Sequence, residues 1–324
     1  MDNKRGKLDV GVLRRLRYYI RDFRADVVHG FLFDGNVYSR VAAAGTGIPV
    51  LNSERSDNYV LRRSQIWPHR LTRHLANGVV ANTWKGRDFA QCLFGLPDSR
   101  VHVVINGIRL EEVNRRVAVN TDNYRRLFFG RDDVYVACLV GTVVYAKDYL
   151  LALEVAHRLT RQDARWRVLF IGASLQGTTG YARAEVAESQ RYRDQVRARF
   201  NVLELEHRAQ FAGQREDALE IIAKCDVLFS TSKHEGFPNV VLEAMAVGTP
   251  VVTVEYSDIR RILPVPWQIV DRDPDQLANT ILQAANQREL LAREQSHWVR
   301  EHATIERSAE ALEAVYCQYV RPSP

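Results

Sequence analysis

The chain has 324 residues, of which 46% are hydrophobic and 26% charged, and its net charge is +6. This composition excludes disordered and fibrous proteins, and the length suits two α/β domains. The four cysteines lie far apart, which argues against a disulfide framework or a zinc knuckle. No segment resembles a secretory signal or reaches membrane-spanning length, so we expect a cytoplasmic protein.

The N-terminal segment is basic and amphipathic. Residues 1–24 contain eight Lys or Arg against three Asp, with apolar residues at helical spacing. These apolar residues are Val12, Leu13, Leu16, Ile20 and Phe23. Two interpretations stay open: the helix packs on its own domain, or it makes a peripheral contact with the inner face of a membrane. No stretch shows the interleaving of basic and aromatic residues that is typical of nucleic-acid modules, so we expect no nucleic acid partner.

Short β-branched runs alternate with longer amphipathic segments along the chain. The runs predicted as strands are 26–29, 78–81, 101–105, 134–140, 167–171, 226–229 and 251–253. This rhythm is typical of βαβ units and predicts the α/β class with two Rossmann-like domains. An Asn-Gly turn at 106–107 and the polar stretch after it place the boundary between domains 1–118 and 119–305. We expect residues 306–324 to form a C-terminal helix that crosses back to the first domain.

Residues 225–252 carry the most specific pattern. A buried strand is predicted to end at Ser230, a polar loop runs to Phe237, and a helix starts near Pro238. A helix start at the carboxyl edge of a parallel sheet is where α/β folds bind phosphorylated ligands, so we expect an anion there.

Two carboxylates flank this helix start. Glu235 lies in the loop and Glu243 lies two helical turns later, so both can face a ligand rich in hydroxyl groups. Glu243 also lies in an otherwise buried helix, where an ionised group needs a partner. That partner is either a ligand or a structural ion pair.

Residues 234–246 resemble the Glu-x7-Glu motif of the family 4 glycosyltransferases, with His234 to Asn239 followed by Glu243 to Ala246. Short segments at 26–29, 52–55, 104–108 and 211–215 are also similar to segments of that family. The resemblance implies the GT-B fold of two Rossmann-like domains and a retaining transfer from a nucleotide-diphosphate sugar, in which the departing diphosphate serves as the base.

The resemblance also implies roles for single residues. Glu243 would hold the ribose hydroxyls, and Glu235 would lie near the donor sugar and take part in catalysis. The N–H groups of the turn that follows Glu235 would face sugar and phosphate. This turn comprises Gly236, Phe237, Pro238 and Asn239.

A second match lies in residues 141–148, which resemble the family's Gly-Arg…Lys loop that clamps the diphosphate. Gly141 and Lys147 match, and Lys147 would stabilise the departing negative charge. Thr142 stands where arginine is common. Arg215 is a candidate for the missing cation on position alone.

The acceptor side is less specific. His29, Asp34 and Asn36 follow the first strand and are candidate acceptor contacts, although His29 is equally interpreted as a hydrogen-bonded strand-end histidine. Phe31 stands where many family members carry a second histidine, so that role does not carry over. Asp273, in the Asp-x-Asp sequence 271–273, is followed by Pro274 and is interpreted as a helix N-cap. We therefore expect neither a metal nor another cofactor.

The expected function is transfer of a sugar, of hexosyltransferase type, from a nucleotide-diphosphate sugar to a glycan or lipid-linked acceptor in cell-surface polysaccharide or glycolipid synthesis. No Gly-rich strand-to-helix turn precedes Asp26, so we expect an incomplete first domain in an N-terminally truncated chain. Two alternatives are a non-catalytic remnant or subunit that binds nucleotide sugar without transfer, and a related GT-B enzyme such as a nucleotide-sugar epimerase. The Glu-x7-Glu motif favours the transferase over the epimerase.

Overall fold

The computed structural model describes residues 9–55, 63–172, 174–175 and 183–320. The chain forms two compact units. The first unit comprises Met1–Gly107 and Ile305–Pro324, and the second comprises Ile108–Thr304. The boundary between the units lies at Gly107–Ile108, N-terminal to the predicted boundary after residue 118. The helix that contains Arg116 packs within the second unit, where Arg116 binds Glu220.

The first unit is built on a four-stranded parallel sheet with the order β1-β2-β3-β4. Its strands are β1 Val28–Gly30, β2 Val50–Glu54, β3 Gly78–Ala81 and β4 Val101–Val103. Its helices are α1 Val10–Asp22, α2 Leu32–Ala43, α3 Arg63–Thr72 and α4 Trp84–Phe94. Val50, Leu51 and Val79 are buried within the sheet, as expected when helices cover both faces. Thr83 caps α4 by accepting a hydrogen bond from the Gly86 N–H at 2.9 Å.

Helix α1 packs its apolar stripe on its own unit. Val12 and Ile20 are buried, and Leu13 and Leu16 join Ile20 in a core cluster with Ala42 and Ala43 of α2. Packing on its own domain, one of the two interpretations of this helix, is therefore confirmed for the described part of the segment; residues 1–8 lie outside it. Among the described helices, none has the length and apolar character needed to cross a bilayer.

The second unit contains a six-stranded parallel sheet with the order β10-β9-β8-β5-β6-β7. Its strands are β5 Tyr135–Val140, β6 Trp166–Ile171, β7 Ala209–Gly213, β8 Val227–Ser230, β9 Val251–Val254 and β10 Ile269–Val270. Its helices are α5 Leu110–Val119, α6 Tyr124–Phe129, α7 Tyr149–Gln162, α8 Arg183–Val202, α9 Ala218–Lys224, α10 Asn239–Ala246, α11 Ile259–Ile262, α12 Pro274–Asn286 and α13 Arg288–His302. The last helix of the chain, α14 Ile305–Cys317, belongs to the first unit, where Val315 packs with Leu51 and Val80.

This strand order positions the candidate site. The chain starts at the central strand β5, moves outward through β6 and β7, and returns to β8 on the other side of β5. Ligands of doubly wound sheets bind at the carboxyl ends of the strands where the order reverses. Here that point lies at the ends of β5 and β8, and we call it the switch-point edge.

Candidate functional site

The loop after β5 brings a lysine back to its own strand end. Gly141 has a φ of 152°, and a Cβ at this position would lie 2.9 Å from Cε of Lys147. The absent side chain therefore leaves room for the lysine stem. The Tyr149 hydroxyl donates to the Gly141 carbonyl at 2.7 Å and holds this turn on α7. Thr142 is exposed and supplies no charge.

Lys147 and Glu235 form an ion pair at the switch-point edge. Lys147 Nζ contacts Glu235 Oε1, and the Ser232 hydroxyl donates to the same oxygen at 2.8 Å. The two charged side chains are 23% and 19% exposed, so water still reaches the pair. The structure thus joins two residues that the sequence assigned to one site from segments 88 residues apart. An entering diphosphate would compete with Glu235 for the lysine, because both are anions that accept from the same ammonium.

Sequence reasoning missed Arg272, which holds this edge together. Its guanidinium contacts Asp148 Oδ2 and donates to the carbonyls of Thr231 at 2.9 Å and Ser232 at 3.0 Å. The Thr231 hydroxyl in turn donates to the Lys147 carbonyl at 2.8 Å. Arg272 therefore links the loop after β5 to the loop after β8. The sequence offered one signal, an arginine between two polar strand-end residues at 271 and 273.

Asp148 needs this support because of its backbone. It has a φ of 48° and a ψ of 60°, in the left-handed region that non-glycine residues rarely adopt. Its carboxylate binds both Arg272 and Lys233, whose Nζ lies 3.3 Å away. The Lys233 ammonium also lies 3.9 Å from the centre of the exposed Tyr145 ring, a cation–π contact. These contacts fix the turn that directs Lys147 toward Glu235.

The start of α10 differs in part from the expected turn, whose backbone N–H groups were all predicted to face the ligand. Pro238 occupies the N-cap position and, as a proline, has no N–H to offer a phosphate, so that part of the expectation was wrong. The Asn239 N–H is bound to the Phe237 carbonyl at 3.0 Å. Phe237 is buried and anchors the turn. Gly236 and Phe237 are the turn positions whose N–H groups could face a ligand.

Glu243 is a half-buried carboxylate on α10 between the buried Leu242 and Ala244. Burial raises the pKa of Glu243, and the positive charge of Arg116 opposes this shift. Arg116 is itself held by Glu220, with two hydrogen bonds of 2.8 Å. Within the described part of the chain, the Glu243 side chain makes no hydrogen bond or ion pair. Its acceptor oxygens therefore suit a ligand that brings hydroxyl groups.

Arg215, the candidate replacement cation, has a structural partner. Its guanidinium binds Asp217 with two hydrogen bonds of 2.7 Å and lies 5.9 Å from the centre of the Phe128 ring. Asp217 also accepts from the Tyr124 hydroxyl at 3.0 Å. The structure brings Arg215 to this cluster rather than to the Lys147–Glu235 pair.

Asp273 behaves as its sequence setting predicts. It accepts a hydrogen bond from the Gln276 N–H at 2.7 Å, and Pro274 stands at the first position of α12. The N-cap interpretation is confirmed.

The acceptor-side candidates lie in the first unit. His29 Nδ1 is 2.7 Å from the Tyr316 hydroxyl, and Nε2 is 2.9 Å from the Ser53 hydroxyl. Burial, with a smaller contribution from Arg55, lowers the pKa of His29 to about 4, so the ring is neutral. Asn36 is buried and donates to the Ser53 carbonyl at 2.9 Å, whereas Asp34 is exposed. Both nitrogens of His29 are thus used within the unit, which matches the interpretation of a hydrogen-bonded histidine, although His29 is the middle residue of β1 rather than a residue at its end.

Known proteins resemble this chain in sequence and in fold. The uncharacterized glycosyltransferase MJ1607 of Methanocaldococcus jannaschii is 28% identical over 195 residues, which covers 57% of this chain and 45% of that relative. The chain therefore aligns with less than half of the relative's length. HepE of Anabaena in complex with UDP has a TM-score of 0.78 at 16% identity over 97% of this chain and 83% of that one. A glycosyltransferase from Rickettsia africae ESF-5 has a TM-score of 0.75 at 15% identity over 99% and 84%.

Family models cover most of the chain. The model of Glycosyltransferase Family 4 matches residues 1–112, and the model of Glycosyl transferases group 1 matches residues 121–297. The second model alone covers more than half of the sequence. Together with the two parallel-sheet units, these matches show that the chain belongs to the family 4, group 1 glycosyltransferases of GT-B fold.

Proposed function

We propose that the protein is a retaining glycosyltransferase of hexosyltransferase type. It would move a sugar from a nucleotide-diphosphate sugar to a glycan or lipid-linked acceptor in cell-surface polysaccharide or glycolipid synthesis. The observation that carries this proposal is the solvent-accessible Lys147–Glu235 pair at the switch-point edge. A cation and a carboxylate held together there suit a ligand that combines an anionic diphosphate with several hydroxyl groups.

Each charged residue has a separate role in the proposal. Lys147 binds the diphosphate, Glu235 accepts hydrogen bonds from the donor sugar, and Glu243 accepts from the ribose hydroxyls. During transfer, the bond between the anomeric carbon and the diphosphate oxygen breaks, and the acceptor oxygen bonds to that carbon on the same face. The acceptor proton passes to the departing diphosphate. Lys147 stabilises the negative charge that develops on this leaving group.

The first nucleotides to test follow from the structural relatives. HepE of Anabaena has been solved with UDP and with UDP-glucose. Calorimetry with UDP, UMP and uridine measures the contribution of the second phosphate. If Lys147 holds the diphosphate, UDP binds more tightly than UMP, and Lys147→Ala removes most of that difference. Equal affinities of UDP and UMP would contradict the role of Lys147.

Product analysis tests the transfer itself. The purified protein is incubated with a nucleotide sugar and candidate acceptors, and the anomeric configuration of the product is read by NMR. Sugar on the acceptor with the donor's configuration supports retaining transfer. An inverted product contradicts retention, and an isomerised donor would favour an epimerase.

A second candidate function is a subunit that binds nucleotide sugar without transferring it. It is favoured by Thr142, which carries no charge, and by Arg215, whose guanidinium is bound to Asp217. The diphosphate would then meet fewer cations than the family's loop provides. UDP binding without glycosylated product under all acceptor conditions would support this candidate.

We also propose that donor binding needs neither a metal ion nor a further cofactor. Lys147 and the N–H groups near the start of α10 can neutralise a diphosphate without a divalent ion. Calorimetry with UDP in buffer and in EDTA tests this, and we expect the same affinity in both. A large loss of affinity in EDTA would contradict this proposal and make the two carboxylates of the Asp-x-Asp sequence, Asp271 and Asp273, candidate metal ligands.

A further inference from the structure

Helix α2 buries an arginine in the interior of the first unit. Arg40, in the last turn of this helix, is 0% exposed, and its Nε donates to the Asn36 carbonyl at 2.9 Å. Its guanidinium carbon lies 5.6 Å from the centre of the Phe94 ring of α4, a cation–π contact. Among the described residues, Arg40 forms no ion pair with a carboxylate. A positive charge therefore lies in the core without a negative partner, which is costly in an apolar interior.

The electrostatic surroundings of Arg40 are positive. Burial lowers the pKa of Arg40 to about 10, and no carboxylate in the described part of the chain opposes this shift. The guanidinium therefore keeps its charge near neutral pH. His69 of α3 lies beside it, and burial, with smaller contributions from Arg40 and Arg73, lowers the pKa of His69 to about 4. The His69 ring is therefore neutral near neutral pH, and an anion would lower the electrostatic energy of this cluster.

Two N–H groups of this cluster lack an acceptor. Arg40 Nη2 lies 3.5 Å from Nδ1 of His69, which is 5% exposed, so Nδ1 accepts and the ring proton is assigned to Nε2. Neither His69 Nε2 nor Arg40 Nη1 has a hydrogen-bond partner among the residues that the structure describes. The Phe94 ring packs edge-on against the His69 ring, with the ring centres 4.5 Å apart. Two buried N–H donors beside an uncompensated guanidinium suit an anion.

We propose that Arg40 Nη1 and His69 Nε2 bind a small monatomic anion, chloride, inside the first unit. The ion would accept from both N–H groups, compensate the guanidinium and join α2 to α3. A monatomic anion fits better than an oxyanion or an acceptor molecule, because both side chains are buried. Water can accept from the same N–H groups but leaves the charge of Arg40 uncompensated. The proposal does not depend on the transfer chemistry of the second unit.

Crystallography with bromide locates the ion. Bromide replaces chloride at halide sites and gives an anomalous X-ray signal that water does not give. Crystals of the full chain grown in sodium bromide should show an anomalous peak within hydrogen-bond distance of Arg40 Nη1 and His69 Nε2. Electron density without an anomalous signal at this position would identify water and overturn the proposal.

Urea unfolding tests the ion in solution. An ion that binds only the folded protein stabilises it, so a tenfold rise in chloride above its Kd should raise the folding equilibrium constant about tenfold. Sodium gluconate at the same ionic strength is the reference, because gluconate is too large for a buried site. The NMR signal of the His69 Nε2–H should shift over the same range of chloride. An equal gain in chloride and in gluconate would be a general salt effect and would overturn the proposal.

Arg40→Met separates an ion-binding arginine from a purely structural one. Methionine has neither the charge nor the N–H groups, so the gain in chloride should disappear. In gluconate, Arg40→Met should be at least as stable as the parent, because a buried uncompensated charge is removed. Arg73→Met, at an exposed arginine that donates to the Leu93 carbonyl, is the control and should keep the gain.

Two results with these variants would overturn the proposal. An equal loss of stability of Arg40→Met in chloride and in gluconate would show a structural role, and a chloride gain that persists in folded Arg40→Met would exclude Arg40 from the site. If Arg40→Met does not fold, the bromide peak and the His69 signal of the parent protein decide the matter.

Discussion

The two units carry polar side chains in or just after their parallel strands but satisfy them differently. In the first unit, His29, the middle residue of β1, uses both ring nitrogens on Tyr316 and Ser53. In the second unit, Lys147 and Glu235 bind each other while still reached by solvent, and the Glu243 side chain has no hydrogen-bond partner within the described residues. The carboxyl edge of a parallel sheet can bind a ligand. Whether a ligand is expected there depends on whether the side chains at that edge are already fully hydrogen-bonded within the protein.

The two units differ in how easily these side chains can exchange a contact within the protein for a contact with a ligand. A neutral histidine held by two hydroxyls loses hydrogen bonds when it turns toward a ligand. A lysine paired with a solvent-accessible carboxylate can exchange that partner for a phosphate, because the ammonium stays compensated and the released carboxylate can accept hydrogen bonds from water or from hydroxyl groups of the ligand. The ligand-binding capacity should therefore be concentrated in the second unit, and substitutions in the two units should have different consequences.

The sharpest test of this comparison is Lys147→Ala. If Lys147 stabilises the departing diphosphate, kcat/KM for transfer should fall on the order of 100-fold, as when one preorganised electrostatic group is removed from an active site. Lys224→Ala, at an exposed lysine at the end of α9, is the matched control and should leave transfer unchanged. Equal rates for both variants, with both folded, would show that the pair at the switch-point edge is structural.

Glu243→Ala should act on binding. The variant should lose about 1 to 3 kcal/mol of nucleotide-sugar affinity, because the ribose hydroxyls stay desolvated without their acceptor. Glu235→Gln should instead lower turnover or sugar discrimination more than nucleotide affinity. Calorimetry with UDP measures the nucleotide affinity of both variants, and transfer assays measure the turnover of Glu235→Gln. Glu289→Ala, at a carboxylate that is 92% exposed, is the control. Unchanged affinity of folded Glu243→Ala would remove this residue from the site.

The raised pKa of Glu243 adds a test of stability without ligand. Its ordinary value is 4.5, and burial raises the pKa in the folded state. The folded protein therefore holds this proton more tightly than the unfolded chain, so stability falls as the pH rises from 4.5 through the raised pKa. Urea unfolding over this range should show less of this decline in Glu243→Gln than in the parent. An identical pH dependence in both proteins would contradict the burial of an ionising carboxylate.

Arg272→Gln should have a smaller effect, because this residue acts through others. Without the guanidinium, Asp148 keeps only Lys233 as a described cationic partner, and the loops that carry Lys147 and Glu235 lose their link. We expect kcat to fall about tenfold through misplacement of Lys147, together with a lower unfolding temperature. Arg272→Lys, which keeps the charge, should recover part of kcat. A stability loss with unchanged kcat would limit Arg272 to a structural role.

The sequence predicted the centre of this fold better than its edges. Strands β5, β6, β8 and β9 are mainly apolar, with Arg167, Ser230 and Thr253 as their polar residues. Pro238 and Gly248 bound helix α10 within two residues of the predicted limits. Strand β7 contains the exposed Gln210, and β10 has two residues, so neither gives a hydrophobic run that would predict a strand.

The site was predicted where its chemistry is local. The segment from Glu235 to Glu243 is one motif, and Lys147 follows a strand end, so both could be recognised in the sequence. The pairing of Arg272 with Asp148 could not, because 124 residues separate them. The same holds for His29 and Tyr316, which are 287 residues apart. Arg215 and Asp217 are two residues apart, and their pairing could have been considered from the sequence.

His29→Ala tests the comparison in the first unit, and it has the smallest expected effect on ligand binding. The substitution leaves the hydroxyls of Ser53 and Tyr316 without a partner, so the unfolding free energy should fall by about 1 to 3 kcal/mol, while UDP affinity stays unchanged. In the parent, the pKa of His29 is lowered from 6.5 to about 4. The unfolded chain therefore binds this proton first, and stability is lost as the pH falls from 6.5 toward 4. Urea unfolding of the parent should show that loss, and His29→Ala should show less of it, because His69, whose pKa burial also lowers to about 4, still contributes. His74→Ala, at an exposed histidine of the same unit, should keep it. If His29→Ala instead kept full stability and raised the KM for the acceptor, His29 would be an acceptor contact, and the contrast between the two sheet edges would no longer hold.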